Sequence, residues 1–275
     1  MLQRAVRFVH LTDLHVSPTP PGGTPKDDDP VARLDTALEM IRGIDPAPDF
    51  AIVSGDITDK GDEESYRIVK RRLDALAMPV VYALGNHDRR SGFYAGMFDR
   101  TQNAEAQYRY ERSIAGVHVV VLDTSVPGRT SGEVGEAQFD FLEAALRREP
   151  DLPKIVVMHH APRIDEESPF AWESLSVAET ERFRQIVGGG NVAGILTGHI
   201  HHDRVSTWHG VPVIVGTGLQ AFIDPLFRKG LRILSGASFG LCTLRPSGLT
   251  ISFVPLACDR RPLGFLDEDK VRALK

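Results

Sequence analysis

The residues of this chain able to do chemistry fall in short clusters. Asp13-Leu14-His15, Gly85-Asn86-His87-Asp88, His159-His160 and Gly198-His199-Ile200-His201 hold six of the ten histidines, and Gly55-Asp56 adds a further carboxylate. Imidazole and carboxylate without thiolate suit Zn, Mn, Fe or Co better than Ca, Mg or Cu(I). Taken alone, each cluster reads equally well as a polar turn, Gly85-Asn86-His87-Asp88 included. Together they offer Asp13, His15, Asp56, Asn86, one of His159-His160, His199 and His201 as donors, more than the three or four that one ion takes. Two ions are accommodated if a carboxylate bridges them, and Asp56, with two oxygens, fits the bridge. A pair of cations about 3.5–4 Å apart clamps an in-line displacement at phosphorus and acidifies a bound water into hydroxide near neutral pH. Two divalent charges against two carboxylates leave the site positive, which favours a phosphate-bearing substrate.

These donors need a scaffold, and the apolar patterning supplies one. Residues 50–54 and 79–84 are apolar runs, the pattern of strands buried on both faces, and residues 6–12, Val-Arg-Phe-Val-His-Leu-Thr, read as a strand ahead of them. Between them, Val31, Leu34, Leu38 and Ile41 recur at helical spacing over 30–43, and Tyr66, Val69, Leu73 and Leu76 mark a second amphipathic helix. A β-α-β-α-β run implies parallel strands joined by right-handed crossovers. All carboxyl ends then lie along one edge, where open α/β sheets bind ligands. Asp13, His15, Asp56, Asn86 and His87 all come directly after such ends.

The second half reads as strands at 106–111 and 117–123, a helix over Glu136 to Arg148, a strand at 154–158 delivering His159-His160, a helix near 178–188 and a strand into Gly198. Hairpins come next at 204–208/211–216 and 239–245/249–255. His10 and His118 sit inside strands and read as packing residues, His202 as a rim residue, and Asp123 as a turn cap or an orienting group. The expected fold is α/β: a mixed two-sheet β-sandwich flanked by helices and built on βαβαβ units.

With 275 residues and no internal repeat, the chain reads as one catalytic domain over 1–258 and a charged C-terminal tail over 259–275. The Pro/Gly/Asp-rich segment 17–30 reads as a loop rimming the site. Residues 216–238 form a candidate cap or dimer-contact segment, with an irregular loop packing its own Phe residues as the plain alternative. A net charge of −5 offers no basic track for a nucleic-acid polymer. Two cysteines are too few for a disulfide framework. With no apolar run of membrane-spanning length and no secretory leader pattern, the expected location is the cytoplasm, away from the membrane.

The ordered set Asp13-x-His15, Gly55-Asp56, Gly85-Asn86-His87-Asp88, His159-His160-x-Pro162 and Gly198-His199-x-His201 resembles the calcineurin-like metallophosphoesterase superfamily. It looks closest to the class III cyclic nucleotide phosphodiesterases, a group that also contains glycerophosphodiester hydrolases. The resemblance spans residues 13–201. It implies two transition-metal ions (Mn, Fe or Zn), one held by Asp13, His15, Asp56 and His201. The other is held by Asp56, Asn86, His160 and His199, with His160 chosen because the family pattern places its ligand two residues before the proline; His159 then supports from outside. The resemblance further makes His87 the acid, an imidazolium that neutralises a phosphoryl oxygen or protonates the leaving alkoxide. It makes Asp88 the partner that fixes an imidazole's tautomer, and places Asn86, His87 and His199 against the substrate. The expected activity is hydrolysis of a small phosphodiester by attack of metal-bound hydroxide, with 3′,5′- or 2′,3′-cyclic AMP favoured. Glycerophosphodiester hydrolysis and phosphomonoesterase action are the alternatives within the fold, and a non-catalytic metal-binding scaffold the alternative outside it. A homo-oligomer is left open.

Overall fold

The computed structural model describes residues 2, 4–18, 29–166, 168, 170–227 and 229–274. Each early apolar run forms a strand and each amphipathic run a helix: β1 (Val6–Leu11), α1 (Pro30–Arg42), β2 (Phe50–Ser54), α2 (Glu63–Leu73) and β3 (Val80–Ala83). Both helices start on a side-chain cap. Asp29 accepts from Val31 N ahead of Pro30, and Asp62 accepts from Ser65 N, satisfying N–H groups that a helix start leaves unpaired. After α3 (Arg90–Phe98) the chain continues as β4 (Tyr110–Ile114), β5 (Val117–Val121), α4 (Glu136–Arg147), β6 (Lys154–Val157), α5 (Val177–Val187) and β7 (Val192–Thr197). It ends with β8 (Arg204–Trp208), β9 (Val211–Val215), β10 (Phe222–Ile223), β11 (Gly230–Leu234), β12 (Ser238–Arg245), β13 (Gly248–Pro255), β14 (Pro262–Asp267) and α6 (Glu268–Arg272).

Two mixed sheets, in the orders β13-β12-β1-β2-β3 and β4-β5-β6-β7-β9-β8, form the expected sandwich. β1, β2 and β3 run parallel in the first, and β5, β6, β7 and β9 in the second. Period-2 alternation divides the side chains. Phe8, Phe50, Ile52 and Val81 pack between the sheets against Val119, Val121, Ile155 and Val157. From the other face of the first sheet, Val9, Leu11, Ala51 and Val53 pack on Leu34, Leu38, Val69 and Leu73 of α1 and α2. The outer face of the second sheet buries Val120, Val156 and Ile195 under Phe139, Leu142 and Phe183 of α4 and α5. Each Val, Leu, Ile or Phe among them contributes roughly 1.5–3 kcal/mol on burial.

Several boundaries differ from the expected ones. The strand expected at 106–111 forms at Tyr110–Ile114, because Ala115 and Gly116, both at positive φ, close a two-residue hairpin that pairs Ile114 with Val117. The stretch 216–238 is not a loop throughout. It contributes β10 and β11 to a three-stranded sheet with β14. The expected tail 259–275 is therefore partly ordered on its own chain: Leu231 pairs with Leu266 and Arg232 with Phe265, and Val271 of α6 is fully buried. Of the expected rim at 17–30, residues 19–28 lie outside the described residues. Among the described residues no helix is long and apolar enough to cross a membrane.

Candidate metal centre

The first residues past β1, β2, β3, β6 and β7 converge where the two sheets share an edge. Asp13 and Asp56 lie at its centre, both essentially buried, and the described residues that ion-pair with them are all histidines. His201 Nε2 lies 3.3 Å from Asp13 Oδ1. His15 Nε2 lies 3.5 Å from Asp56 Oδ2 and 3.9 Å from Asp13 Oδ1. His159 Nε2 lies 3.2 Å from Asp56 Oδ2 and 4.0 Å from Asp13 Oδ1. One donor atom from each of Asp13, His15 and His201 falls within 4.8 Å of the others, and the same holds for Asp13, Asp56 and His159, and for His159, His160 and His199.

The backbone is bent to achieve this. Asp13, His15, Asp56, His199 and His201 all have φ between 45° and 76°, a region that non-glycine residues seldom occupy and that costs of order 1–3 kcal/mol each. Reciprocal hydrogen bonds hold the bends: Asp13 N donates to Gly55 O at 3.0 Å, His15 N to Asp56 O at 2.9 Å, and His199 N to Asp13 Oδ2 at 3.1 Å. Two glycines are required by close approach rather than by conformation. A Cβ on Gly85 would stand 2.2 Å from Asp56 Oδ1, and one on Gly198 2.3 Å from Asp13 Oδ2.

The imidazoles are pre-oriented from behind. His159 Nδ1 donates to Ser54 O at 2.9 Å, His201 Nδ1 to Ala221 O at 3.2 Å and His199 Nε2 to Trp172 O at 2.7 Å. Donation of one ring N–H to a carbonyl fixes the tautomer and turns the other nitrogen inward as a lone-pair donor. His159 Nε2, both nitrogens of His15 and Asn86 Oδ1 are buried without a hydrogen-bond partner among the described residues. Such orphans are costly unless a ligand meets them. Burial opposes charge on His15 and His159, yet the surrounding carboxylates raise them to about 10 and about 9. Burial likewise raises Asp13 and Asp56, and the neighbouring imidazoles outweigh it, holding both below the ordinary range. The pocket calls for positive charge between its donors, and divalent cations fit that demand.

Of the expected site residues, Asp13, His15, Asp56, Asn86, His199 and His201 are brought together by strand ends. His160 shares a donor group with His159 and His199, while its Nδ1 pairs with Thr124 Oγ1 at 2.8 Å and its Nε2 with Thr130 O at 3.0 Å. The neighbour expected to stand outside, His159, is the one facing Asp56. Asp88 departs from expectation. It meets no imidazole among the described residues; its carboxylate accepts from Gly85 N, Ile57 N, Thr58 N and Tyr66 Oη at 2.7–3.2 Å, so it braces the two loops that carry Asp56 and Asn86. His87, 42% exposed at its side chain, donates its backbone N–H to Asp56 Oδ1 at 2.9 Å and pairs Nδ1 with Asp59 O at 3.0 Å. Asp59 is a participant that motif reading missed. It closes the segment Gly55-Asp56-Ile57-Thr58-Asp59, and its Oδ1 stands 3.8 Å from His15 Nδ1. His202 joins none of the donor groups found among the described residues, His10 pairs with Ser54 Oγ and His118 with Glu111.

A family profile described as calcineurin-like phosphoesterase matches residues 6–203. The chain is 31% identical over 219 residues to a probable cyclic nucleotide phosphodiesterase of Rhodococcus erythropolis, covering 76% of this chain and 69% of that protein. It is 28% identical over 264 residues to a cAMP/cGMP dual specificity phosphodiesterase of Mycobacterium tuberculosis, covering 90% and 79%. In fold it is similar to a dimetal phosphatase from Danio rerio, with a TM-score of 0.63 at 15% identity over 92% of this chain and 98% of that one.

Proposed function

Because the chain belongs to the calcineurin-like phosphoesterase family, and is a metal-dependent phosphodiesterase-like hydrolase by that membership and its curated relatives, we propose that its substrate is a small phosphodiester, with cyclic nucleotides favoured. The Rhodococcus and Mycobacterium relatives both bear cyclic nucleotide phosphodiesterase names. The observation that carries the reading is the convergence of imidazole and carboxylate donors on the buried Asp13–Asp56 pair.

In this reading Asp13, His15, Asp56 and His201 hold one cation, and Asp56, Asn86, His199 and His159 hold the second. His159 replaces His160 because its Nε2 is unpartnered among the described residues and faces Asp56, whereas both nitrogens of His160 are engaged. A bound pair of such cations supplies an acidified water and positive charge for phosphoryl oxygens. The protein's own groups do the rest. Thr12 Oγ1, donating to Asp13 Oδ2 at 2.7 Å, holds that carboxylate in place. With Nδ1–H donating to Asp59 O, His87 is left with Nε2 to hold a proton for the leaving oxygen or to bind a phosphoryl oxygen.

The test is a rate comparison on purified protein reconstituted in turn with Mn, Fe and Zn. The substrates are 3′,5′- and 2′,3′-cyclic AMP, bis(p-nitrophenyl) phosphate and p-nitrophenyl phosphate. The diesters should exceed the monoester by orders of magnitude, and the reverse order overturns the proposal.

A further inference from the structure

Beside the metal donors lies a cleft whose charges the reaction at those donors leaves unused. It encloses about 470 Å³, and its lining includes Lys60, Asn86, His87, Arg89, Arg90 and Ser125. Asn86 and His87 link it to the metal centre.

Arg90 is the preorganised part of this cleft. Its Nε donates to Asp123 Oδ2 at 2.8 Å and its Nη2 to Ser125 O at 2.8 Å. Asp123 is fully buried, and its carboxylate is pinned in turn by Tyr108 N at 2.9 Å and Ser125 N at 3.1 Å. The guanidinium is therefore held on two edges, while Nη1 has no hydrogen-bond partner among the described residues. Lys60 and Arg89 are exposed and form no ion pair among the described residues. Asp123 offsets the charge of Arg90 across their ion pair and leaves Nη1 as a directed donor. The cleft's outward positive charge therefore comes from Lys60 and Arg89, with Asp59, held down first by His15, close enough to Lys60 to be held down by it as well. Asp88 is closed off by Tyr66 and three backbone N–H groups, Asp59 faces His15 and His87, and Glu105 is the remaining exposed carboxylate of the lining.

A fixed planar guanidinium with two exposed cations in the same cleft matches the oxygens of a phosphate or carboxylate. On the phosphodiester reading the scissile phosphate would lie at the metal donors, so a substrate with that phosphate alone would leave the cleft's cations idle. We propose that the substrate carries a second anionic group, a phosphomonoester on one arm of the diester, and that Arg90, Arg89 and Lys60 bind it, with Arg90 determining specificity. The proposal rests on the phosphodiester reading and narrows it.

The matched probes are adenosine 2′,3′-cyclic phosphate with and without a 5′-phosphate. On metal-loaded wild-type protein the 5′-phosphorylated form should have a kcat/KM about tenfold higher, the gain of one charge-assisted contact. That ratio should fall towards one in Arg90→Gln, and also in the double variant Lys60→Gln/Arg89→Gln, whose exposed positions leave folding undisturbed. Calorimetric titration of pyrophosphate into the metal-loaded protein gives a readout independent of turnover. Its binding should weaken about tenfold in the double variant. A wild-type ratio near one, or pyrophosphate binding that the double variant leaves unchanged, overturns the proposal. If neither nucleotide is hydrolysed, the pyrophosphate titration alone decides on the cleft, and the phosphodiester reading is decided by the four-substrate rate comparison.

Discussion

His159 Nε2 stands 3.2 Å from Asp56 Oδ2, while the ring of the adjacent His160 is tied at both nitrogens to Thr124 and Thr130. Two neighbouring imidazoles thus have opposite surroundings, one facing a carboxylate pair and one closed within the protein. His159→Ala should lose one of two bound metals and nearly all turnover. His160→Ala should keep two metals and lose activity more modestly, through displacement of the loops bearing Thr124 and Thr130. Metal content by mass spectrometry on protein purified with and without added Mn distinguishes them; loss of a metal in His160→Ala alone reverses the assignment.

The strand ends were readable because buried parallel strands are continuous apolar runs, and topology places the residues just past each run at the sheet edge. Choosing between His159 and His160 was not, since adjacent side chains past a strand end point to different sides and the local bend decides which turns inward. Helix α3 was hidden for a different reason. Its sequence, Arg90-Ser-Gly-Phe-Tyr-Ala-Gly-Met-Phe98, holds two glycines that lower intrinsic helix propensity. The structure needs them: a Cβ on Gly92 would stand 2.0 Å from Gly61 O, and one on Gly96 2.5 Å from Tyr66 Cβ. The pairing of β11 with β14 was also illegible, because Pro262 and Gly264 weaken the strand signal and the partner is distant in sequence.

Asp88 holds loops rather than an imidazole, and this predicts a stability effect. Tyr66 Oη donates to Asp88 Oδ1 at 2.7 Å, with both residues buried. Tyr66→Phe removes one donor from a buried carboxylate and should cost about 1.5–3 kcal/mol, the range for a hydrogen bond to a charged group. Asp88→Asn should cost at least as much, because one acceptor oxygen becomes an N–H2 facing backbone donors. Urea unfolding at neutral pH measures both. Metal affinity should fall in parallel with stability. An Asp88→Asn protein with unchanged stability and lost turnover would instead give Asp88 a chemical role.

Asp49 ties the entry of β1 to the strand beside it, and its titration predicts a pH dependence. Burial pushes its carboxyl up, but Arg4 and the N–H of Arg7, at 2.9 Å, outweigh that and hold it below the ordinary range. In the unfolded chain it returns to about 3.9. A carboxylate depressed on folding stabilises the native state above the unfolded value, and the contribution disappears as pH falls through the folded value. Asp49→Asn should therefore lower Tm by about 2–4 °C at pH 7, and the gap to wild type should close as pH falls below about 4. A gap that is constant with pH sinks this account.

His87 differs from the other site histidines in being partly exposed, at 42% of its side chain, with Nδ1 engaged by Asp59 O and no inward-facing carboxylate within hydrogen-bond distance of its ring among the described residues. Its role in the proposed reaction is to hold a proton or a phosphoryl oxygen, so its removal should leave the metal donors undisturbed. His87→Ala should retain both metals and the wild-type Tm within about a degree, since exposed substitutions usually change stability little. Turnover of a diester with a poor alkoxide leaving group should fall about 10²–10⁴-fold, the usual worth of a positioned general acid. With p-nitrophenolate leaving, which needs no proton, the loss should be much smaller. That difference between substrates is the diagnostic reading: equal losses on both would make His87 a binder of phosphoryl oxygen and remove it from proton transfer.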